Sequence, residues 1–368
     1  MQVSGVFAAG KENARGLART GELSYRNASA GPFPGPLSGA FRTPSPALSA
    51  GCRRPGGIAG PPIPWLLRHP VRPAGPRDGR AKLRKEAAPM GEARETGGAA
   101  VAGPRSAPCW ADVMLPDVEA GKRFYGGLFG WTFRDAGPEY SSCTEAFRDG
   151  RAVAALAPKP DGRMPTAWCV YFSSTDAAAT AGRITEAGGQ VVTGPFAVGP
   201  FGTMLLAADP GGAVLGVWQA GSHRGFEERG TPGSFAWTEV YTRDAAAVDA
   251  FYERVFGLVA HAPGGDATAD YALWTPVGLP PGPGDAVGGR AVMGEGFPEV
   301  MPAHFLVHFA VADCDAAAET AGRLGGRVRR GPREAPYGRF AVLTDSQGAD
   351  FAVVEPARAP GRGTAAGR

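Results

Sequence analysis

Two stretches of the chain carry the same pattern and decide the fold. Residues 110–130 read WADVMLPDVEAGKRFYGGLFG, and residues 237–257 read WTEVYTRDAAAVDAFYERVFG. A tryptophan, an aspartate, a Phe-Tyr pair and a Phe-Gly pair recur at a constant offset of 127 residues, and later Gly-Gly and Gly-Pro pairs recur at an offset of 137. Such a repeat in constant register predicts two copies of one structural unit.

Each copy has the local pattern of a βαβββ module. The alternation in Trp110–Leu115 predicts a strand, and Asp117 is a good N-cap for the helix that follows and ends at Gly130. Three further strands are predicted at 131–134, 140–148 and 151–157. A second module begins near Ala167, with its helix at 176–187 and strands through Trp218, and the second unit repeats the whole plan over 235–355.

The predicted fold class is therefore α+β, with paired βαβββ modules in two tandem domains. The first domain covers 106–220, a linker covers 221–232, and the second domain covers 233–357. Residues 1–105 and 358–368 show neither helical nor strand periodicity, and the first of these segments is rich in Pro, Gly and Arg. We expect both segments to be disordered, because they lack the apolar surface that would offset the entropy of ordering.

The positive charge of the chain belongs to the N-terminal segment. Residues 1–107 hold 16 Lys/Arg and 6 Asp/Glu, whereas the remainder holds 22 and 29. A basic segment without a predicted fold is only weak evidence for nucleic-acid binding, so we predict no nucleic-acid partner. Met90 follows Lys85-Glu86, whose codons can form a ribosome-binding sequence. We therefore predict that translation starts at Met90 and that residues 1–89 are an untranslated extension of the reading frame, with a disordered basic tail as the alternative.

The cysteines and the hydropathy pattern bear on the compartment. Five cysteines without a CxxC pair argue against a disulfide framework. No apolar run reaches the 18 or so residues of a membrane span, and the N-terminus lacks the apolar core of a signal peptide. We therefore predict a cytoplasmic protein without a membrane partner.

The order of these motifs resembles a known family. A strand, an Asp cap, FYGGLFGW, a strand and helix ending in AGG, and DPGGA before the last strand are similar to the vicinal oxygen chelate superfamily. It includes glyoxalase I, extradiol dioxygenases and bleomycin resistance proteins. The resemblance covers about 250 residues and is closest to tandem glyoxalase-like proteins. It implies sheets that cup a ligand, and either a monomer that forms a pseudo-dimer internally or a homodimer.

The resemblance also implies where a divalent metal would be held. Family ligands are His, Gln or Glu on the first and last strands of the modules. The corresponding positions here hold apolar or thiol residues, namely Trp110, Ala155, Cys169, Gly216, Trp237, Leu306 and Ala352. We therefore predict no metal ligands and no cofactor, with a divalent metal at a non-standard site as the less favoured alternative.

Two carboxylates are the candidate catalytic or ligand-binding groups. Asp112 and Glu239 each lie two residues after the repeated tryptophan, so each shares a strand face with Trp110 or Trp237. If that face lines the cup, burial raises the carboxyl pKa and makes each group a possible general base or hydrogen-bonding group. A partner such as a tyrosine hydroxyl or Arg290 would then be needed. The alternative is a carboxylate that faces solvent or forms a surface salt bridge.

Further residues are predicted to line the cups. The predicted ligand-binding residues are Trp110, Asp112, Cys169, Tyr171, Trp237, Glu239, Tyr241, His304 and His308. On a strand, His304 and His308 are about 13 Å apart, too far to hold one ion. For the aromatic residues and the two histidines, a purely structural role in the core is the alternative.

Three classes of function remain open from the sequence. The first is a metal-free small-molecule-binding protein that captures an aromatic or bulky ligand, as bleomycin-binding relatives do. The second is a lyase, hydroxylase or dioxygenase-type enzyme that uses Asp112 and Glu239 or a non-standard metal site. The third is a scaffold or regulator with a vestigial cup. The missing metal ligands and the tryptophan-rich strands favour the first class.

Overall fold

A computed structural model describes residues 106–136, 143–159, 161–263, 270–282, 284–335 and 337–356. The predicted disorder of the two termini and the predicted start at Met90 fall outside these residues. The described helices are α1 (Val118–Phe129), α2 (Ala177–Glu186), α3 (Ala245–Phe256) and α4 (Cys314–Arg323). The strands of the first half are β1 (Pro108–Leu115), β2 (Thr132–Asp135), β3 (Thr144–Arg148), β4 (Arg151–Pro158), β5 (Trp168–Ser173), β6 (Gln190–Val198), β7 (Gly202–Ala208) and β8 (Val214–Ala220). Those of the second half are β9 (Phe235–Thr242), β10 (Leu258–His261), β11 (Tyr271–Pro276), β12 (Gly288–Val292), β13 (His304–Ala310), β14 (Arg327–Ala335), β15 (Gly338–Thr344) and β16 (Asp350–Pro356).

The strands form two eight-stranded mixed sheets with the same topology. The first sheet has the order β2-β3-β4-β1-β5-β8-β7-β6, and the second has the order β10-β11-β12-β9-β13-β16-β15-β14. In each sheet the first strands of the two modules pair antiparallel at the centre, β1 with β5 and β9 with β13. This confirms the predicted α+β class with paired βαβββ modules.

The helix ends follow the predicted capping chemistry. The Asp117 side chain accepts a hydrogen bond from the Ala120 N–H, and Asp176, Asp244 and Asp313 cap the other three helices in the same way. Gly130 ends α1 in the left-handed conformation, with φ 69°. A side chain there would be strained, so glycine fixes the helix end.

The helix-bearing faces of the two sheets share one core. Tyr125 on α1 donates a hydrogen bond to Asp345 in the second half (2.9 Å), and Tyr252 on α3 donates one to Asp209 in the first half (3.2 Å). Phe129 and Phe309, one from each half, lie with ring centroids 5.1 Å apart. Each half's first helix therefore packs on the other half.

The segment after β8 lies against the first sheet. The Phe226 N–H donates to the Cys109 carbonyl, and the Glu227 N–H donates to the Ala152 carbonyl. Phe226 is buried and stacks on Phe235, with centroids 4.6 Å apart. Backbone hydrogen bonds therefore tie the residues between the two predicted domains to the beginnings of β1 and β4.

Candidate functional site

We call the helix-free face of the first sheet cup 1. The strand register defines a row of side chains on this face. Trp110 pairs with Tyr171, Tyr171 with Gly216, and Gly216 with Leu206. Directly paired residues point to the same face, so these four form one row across β1, β5, β8 and β7. A Cβ at Gly216 would overlap the Tyr171 ring, so the missing side chain lets the tyrosine lie across β8.

Asp112 lies next to this row and is the charged centre of cup 1. It pairs with Ala155 on one side and Cys169 on the other. The Tyr171 hydroxyl donates a hydrogen bond to Asp112 Oδ2 at 2.8 Å, whereas the buried Oδ1 has no partner. Burial raises the carboxyl pKa to about 7, and the tyrosine hydrogen bond only partly opposes this. Near neutral pH the group can therefore either donate or accept a hydrogen bond at Oδ1.

Residues from other parts of the first half complete the edge of cup 1. The His223 ring contacts Trp110 edge-on, with centroids 4.4 Å apart, and His223 Nδ1 lies 3.7 Å from Glu145 Oε1. Trp218 donates from Nε1 to the His223 carbonyl at 2.9 Å. Burial lowers the pKa of His223 and raises that of Glu145, so proximity of these two groups does not make a strong ion pair.

We call the helix-free face of the second sheet cup 2. The corresponding row of paired side chains crosses more strands there. Trp237 pairs with His308, His308 with Ala352, Ala352 with Val342, and Val342 with Arg330. The row therefore crosses five strands, from β9 to β14. Its inner members are buried, with Trp237 0% and His308 2% exposed, so cup 2 is more closed at its centre than at its arginine end.

Glu239 holds the place in cup 2 that Asp112 holds in cup 1. Tyr241 donates to Glu239 Oε2 at 3.0 Å, and Tyr271 donates to Oε1 at 3.2 Å. The Trp237 indole in turn donates to the Tyr271 hydroxyl at 3.2 Å. Glu239 is 2% exposed, and burial raises its pKa to about 7 despite these hydrogen bonds.

The two histidines of β13 have different surroundings. His308 Nε2 lies 3.8 Å from Glu239 Oε2, beyond hydrogen-bonding distance, and both ring nitrogens are buried without a partner. Burial lowers the pKa of His308 to about 3, so the pair is a neutral imidazole beside a carboxyl group and not a salt bridge. His304 is partly exposed and stacks on Tyr241, with centroids 5.2 Å apart and ring planes 5° apart.

All nine predicted ligand-binding residues lie on the helix-free faces, four in cup 1 and five in cup 2. Whether they contact a ligand stays a prediction. The suggestion that Arg290 could partner Glu239 is wrong, because Arg290 pairs with Val240 on the opposite face and its guanidinium binds Asp249 on α3 at 2.8 Å. A tyrosine, the other suggested partner, takes that place.

Two details of the sites were not foreseen from the sequence. Tyr171 lies opposite Trp110 and His308 lies opposite Trp237, pairings for which no prediction was made. Tyr271 was missed as a partner of Glu239. No local sequence pattern marks Tyr271, because its contact with Glu239 depends on the pairing of β11 with β12. The contact also needs the missing side chain of Gly289, since a Cβ there would overlap the tyrosine hydroxyl.

Comparison with known proteins defines the family. Residues 110–217 match the model of the glyoxalase/bleomycin resistance protein/dioxygenase superfamily, and residues 237–354 match that of a glyoxalase-like domain. The chain therefore belongs to the glyoxalase/bleomycin resistance protein/dioxygenase superfamily, with two tandem domains of it.

Its curated relatives include a mycobacterial and a streptomycete protein. The chain is 39% identical over 260 residues to "Putative glyoxylase CFP32" of Mycobacterium tuberculosis, across 68% of this chain and 95% of that protein. It is also 39% identical over 267 residues to the anthracycline biosynthesis protein DnrV of Streptomyces peucetius, across 68% and 93%. A solved structure with a similar fold is the Mn(II)-bound glyoxalase from Novosphingobium aromaticivorans, at 16% identity and a TM-score of 0.48 over 68% of this chain and 84% of that chain.

The side chains present do not fit a three-ligand metal site. Among the described residues, no group of three or more His, Cys, Asp or Glu side chains could hold a metal ion. In cup 1 the Tyr171 ring fills the space that a ligating side chain at Gly216 would need. In cup 2 the row holds a single imidazole, His308, between Trp237 and Ala352. Metal-free function nevertheless stays a prediction until metal content is measured.

No helix in the described ranges combines the length and apolar character needed to cross a membrane. The predicted cytoplasmic location stays a prediction.

Proposed function

We propose that the protein binds a planar, largely apolar small molecule in its cups, without a metal ion, and orients the molecule through Asp112 and Glu239. The observation that carries this proposal is the matched pair of buried carboxyl groups. Each lies on a helix-free face, next to a tryptophan and hydrogen-bonded by a tyrosine. Aromatic rings supply flat apolar walls, and a few polar groups fix the orientation of a ligand between them.

The carboxyl groups define what polar atom the ligand would present. With a pKa of about 7, Asp112 is partly protonated at neutral pH, and its protonated form donates a hydrogen bond to a carbonyl oxygen. Since Oδ1 is buried without a partner, a ligand carbonyl or hydroxyl there would satisfy it. A quinone or hydroxyquinone carries both groups on a flat ring system. The relatives named for anthracycline biosynthesis support a ligand of this chemical type.

Fluorescence titration tests the proposal directly. Purified protein is treated with a chelator and titrated with a hydroxyanthraquinone, with quenching of tryptophan fluorescence as the signal. We expect saturable binding that is unchanged by added divalent metal. Asp112→Asn combined with Glu239→Gln should weaken binding about tenfold or more, because each change alters one oriented hydrogen bond. Absence of binding, or binding only after metal is added, contradicts the proposal.

A second candidate is an enzyme in which Asp112 moves a proton. Its pKa of about 7 and its free Oδ1 are the properties of a general acid–base group that works at neutral pH. Chromatography of the hydroxyanthraquinone after prolonged incubation with stoichiometric protein separates the two candidates. A new product that disappears with Asp112→Asn would favour the enzyme, whereas recovery of the intact compound favours the binding protein.

A further inference from the structure

The two cups differ in charge along one edge. Arg330 pairs with Val342, and Arg333 pairs with Phe340, so both arginines belong to the helix-free face of the second sheet. The same register in the first sheet places Thr193 opposite Leu206 and Phe196 opposite Met204. Both arginines stand 137 residues after their counterparts, which is the offset of the repeat. Cup 2 therefore has two cationic side chains where cup 1 has none.

These arginines lack the partners that neighbouring arginines have. Arg329 is paired with Asp350, and Arg339 with Asp315 and Glu334. Among the described side chains, no carboxylate forms an ion pair with Arg330 or Arg333. An arginine without a carboxylate partner is suited to bind an anionic group, because its planar guanidinium can donate two parallel hydrogen bonds to a carboxylate or phosphate.

The Arg333 side chain packs on an aromatic ring, but one of its hydrogen-bond donors has no partner. Its guanidinium lies 4.6 Å from the centroid of the Phe340 ring, and its Nε is buried without a hydrogen-bond partner. Burial lowers the pKa of Arg333, and the positive charge of Arg330, three residues away on the same strand, adds to this. The positive charge of Arg330 also partly opposes the rise in pKa of the Tyr241 hydroxyl, which donates to Glu239. The arginine edge is thus continuous with the centre of cup 2.

We propose that cup 2 takes a ligand with an anionic group, a carboxylate or a similar oxyanion, which Arg330 and Arg333 bind while its apolar part extends towards Trp237. This rests on the proposed function, since it assigns a charge to the ligand of one of the two cups. The row from Trp237 through His308, Ala352 and Val342 to Arg330 joins the apolar centre of cup 2 to its arginines, one strand after the next.

A matched pair of probes tests this charge preference. The probes are 2-naphthoate and 2-naphthamide, which have the same ring system and differ in charge, titrated at about pH 6, where Glu239 is mostly protonated. We expect 2-naphthoate to bind about 10- to 100-fold more tightly than the amide, because charged hydrogen bonds contribute this much in a partly buried site. Arg330→Gln and Arg333→Gln should each remove most of that preference.

The control is Arg329→Gln, which removes the same charge from the same strand but from an arginine already paired with Asp350. It should keep the preference for 2-naphthoate. If Arg333→Gln does not fold, the exposed Arg330 carries the test alone. Equal affinity for the two probes, or a preference that survives both substitutions, overturns the anion site and leaves the proposed function standing. Failure of both probes and of the hydroxyanthraquinone to bind overturns the two proposals together.

Discussion

Replacement of Glu239 by glutamine should remove a large pH-dependent contribution to stability. The carboxyl group is 2% exposed, and burial raises its pKa from the ordinary 4.5 to about 7. The folded protein therefore keeps a proton that the unfolded chain releases between these pH values. The free energy of unfolding falls as pH rises through this window, and the fall amounts to about 3 kcal/mol when the whole window is crossed.

Glutamine has the same shape and no charge, so this contribution disappears. Its carbonyl can accept from one of the two tyrosines, and its amide group faces His308, whose ring nitrogens lack partners. We expect Glu239→Gln to be less stable than or equal to the wild type near pH 4.5. Its stability relative to the wild type should improve by about 3 kcal/mol by pH 8.

Urea unfolding at pH 5, 6, 7 and 8 measures this difference, with tryptophan fluorescence and circular dichroism required to give coincident transitions. Glu253→Gln is the matched control, because Glu253 is an exposed residue on α3 and its removal should leave the pH dependence of the wild type unchanged. If Glu239→Gln and the wild type lose stability in parallel as pH rises, the buried carboxyl does not carry the proton assigned to it.

Three further outcomes can be measured. Gly216→Ala should lower the free energy of unfolding in urea by about 1–3 kcal/mol, because the new Cβ displaces the Tyr171 ring. The control is Gly182→Ala, at a helical position with free space, which should be neutral or stabilising. Equal effects of the two substitutions would refute this prediction. Tyr252→Phe should lower the free energy of unfolding by about 1–2 kcal/mol in the same assay, since it leaves the buried Asp209 without a hydrogen bond from the other half. A change too small to measure would argue against that contact. Elemental analysis of protein purified without chelators or a metal-affinity tag should find much less than one transition metal per chain, and one tightly held ion per domain would refute the metal-free assignment.

The repeat and the period-two alternation were enough to predict the modules and the faces of the central strands. Trp110 and Asp112 share a face because side chains alternate along any strand, whatever its neighbours. Pairing between strands could not be predicted in the same way. Tyr171 lies opposite Trp110 because β1 and β5 keep one register from Trp110 to Val113, and Arg290 lies on the helix face because β12 pairs with β9 in one particular register. A single step in such a register moves a side chain to the other face.

The shared core of the two halves also bears on how the cups could diverge. In a symmetric dimer of identical subunits, every substitution appears in both sites at once. Here the two halves contact each other as such subunits would, with Tyr125 reaching Asp345 and Tyr252 reaching Asp209, yet each half is encoded separately. A mutation can therefore place arginine at one end of the repeat and leave threonine at the other. Covalent fusion keeps the packing of a dimer while it frees the two sites to acquire different chemical preferences.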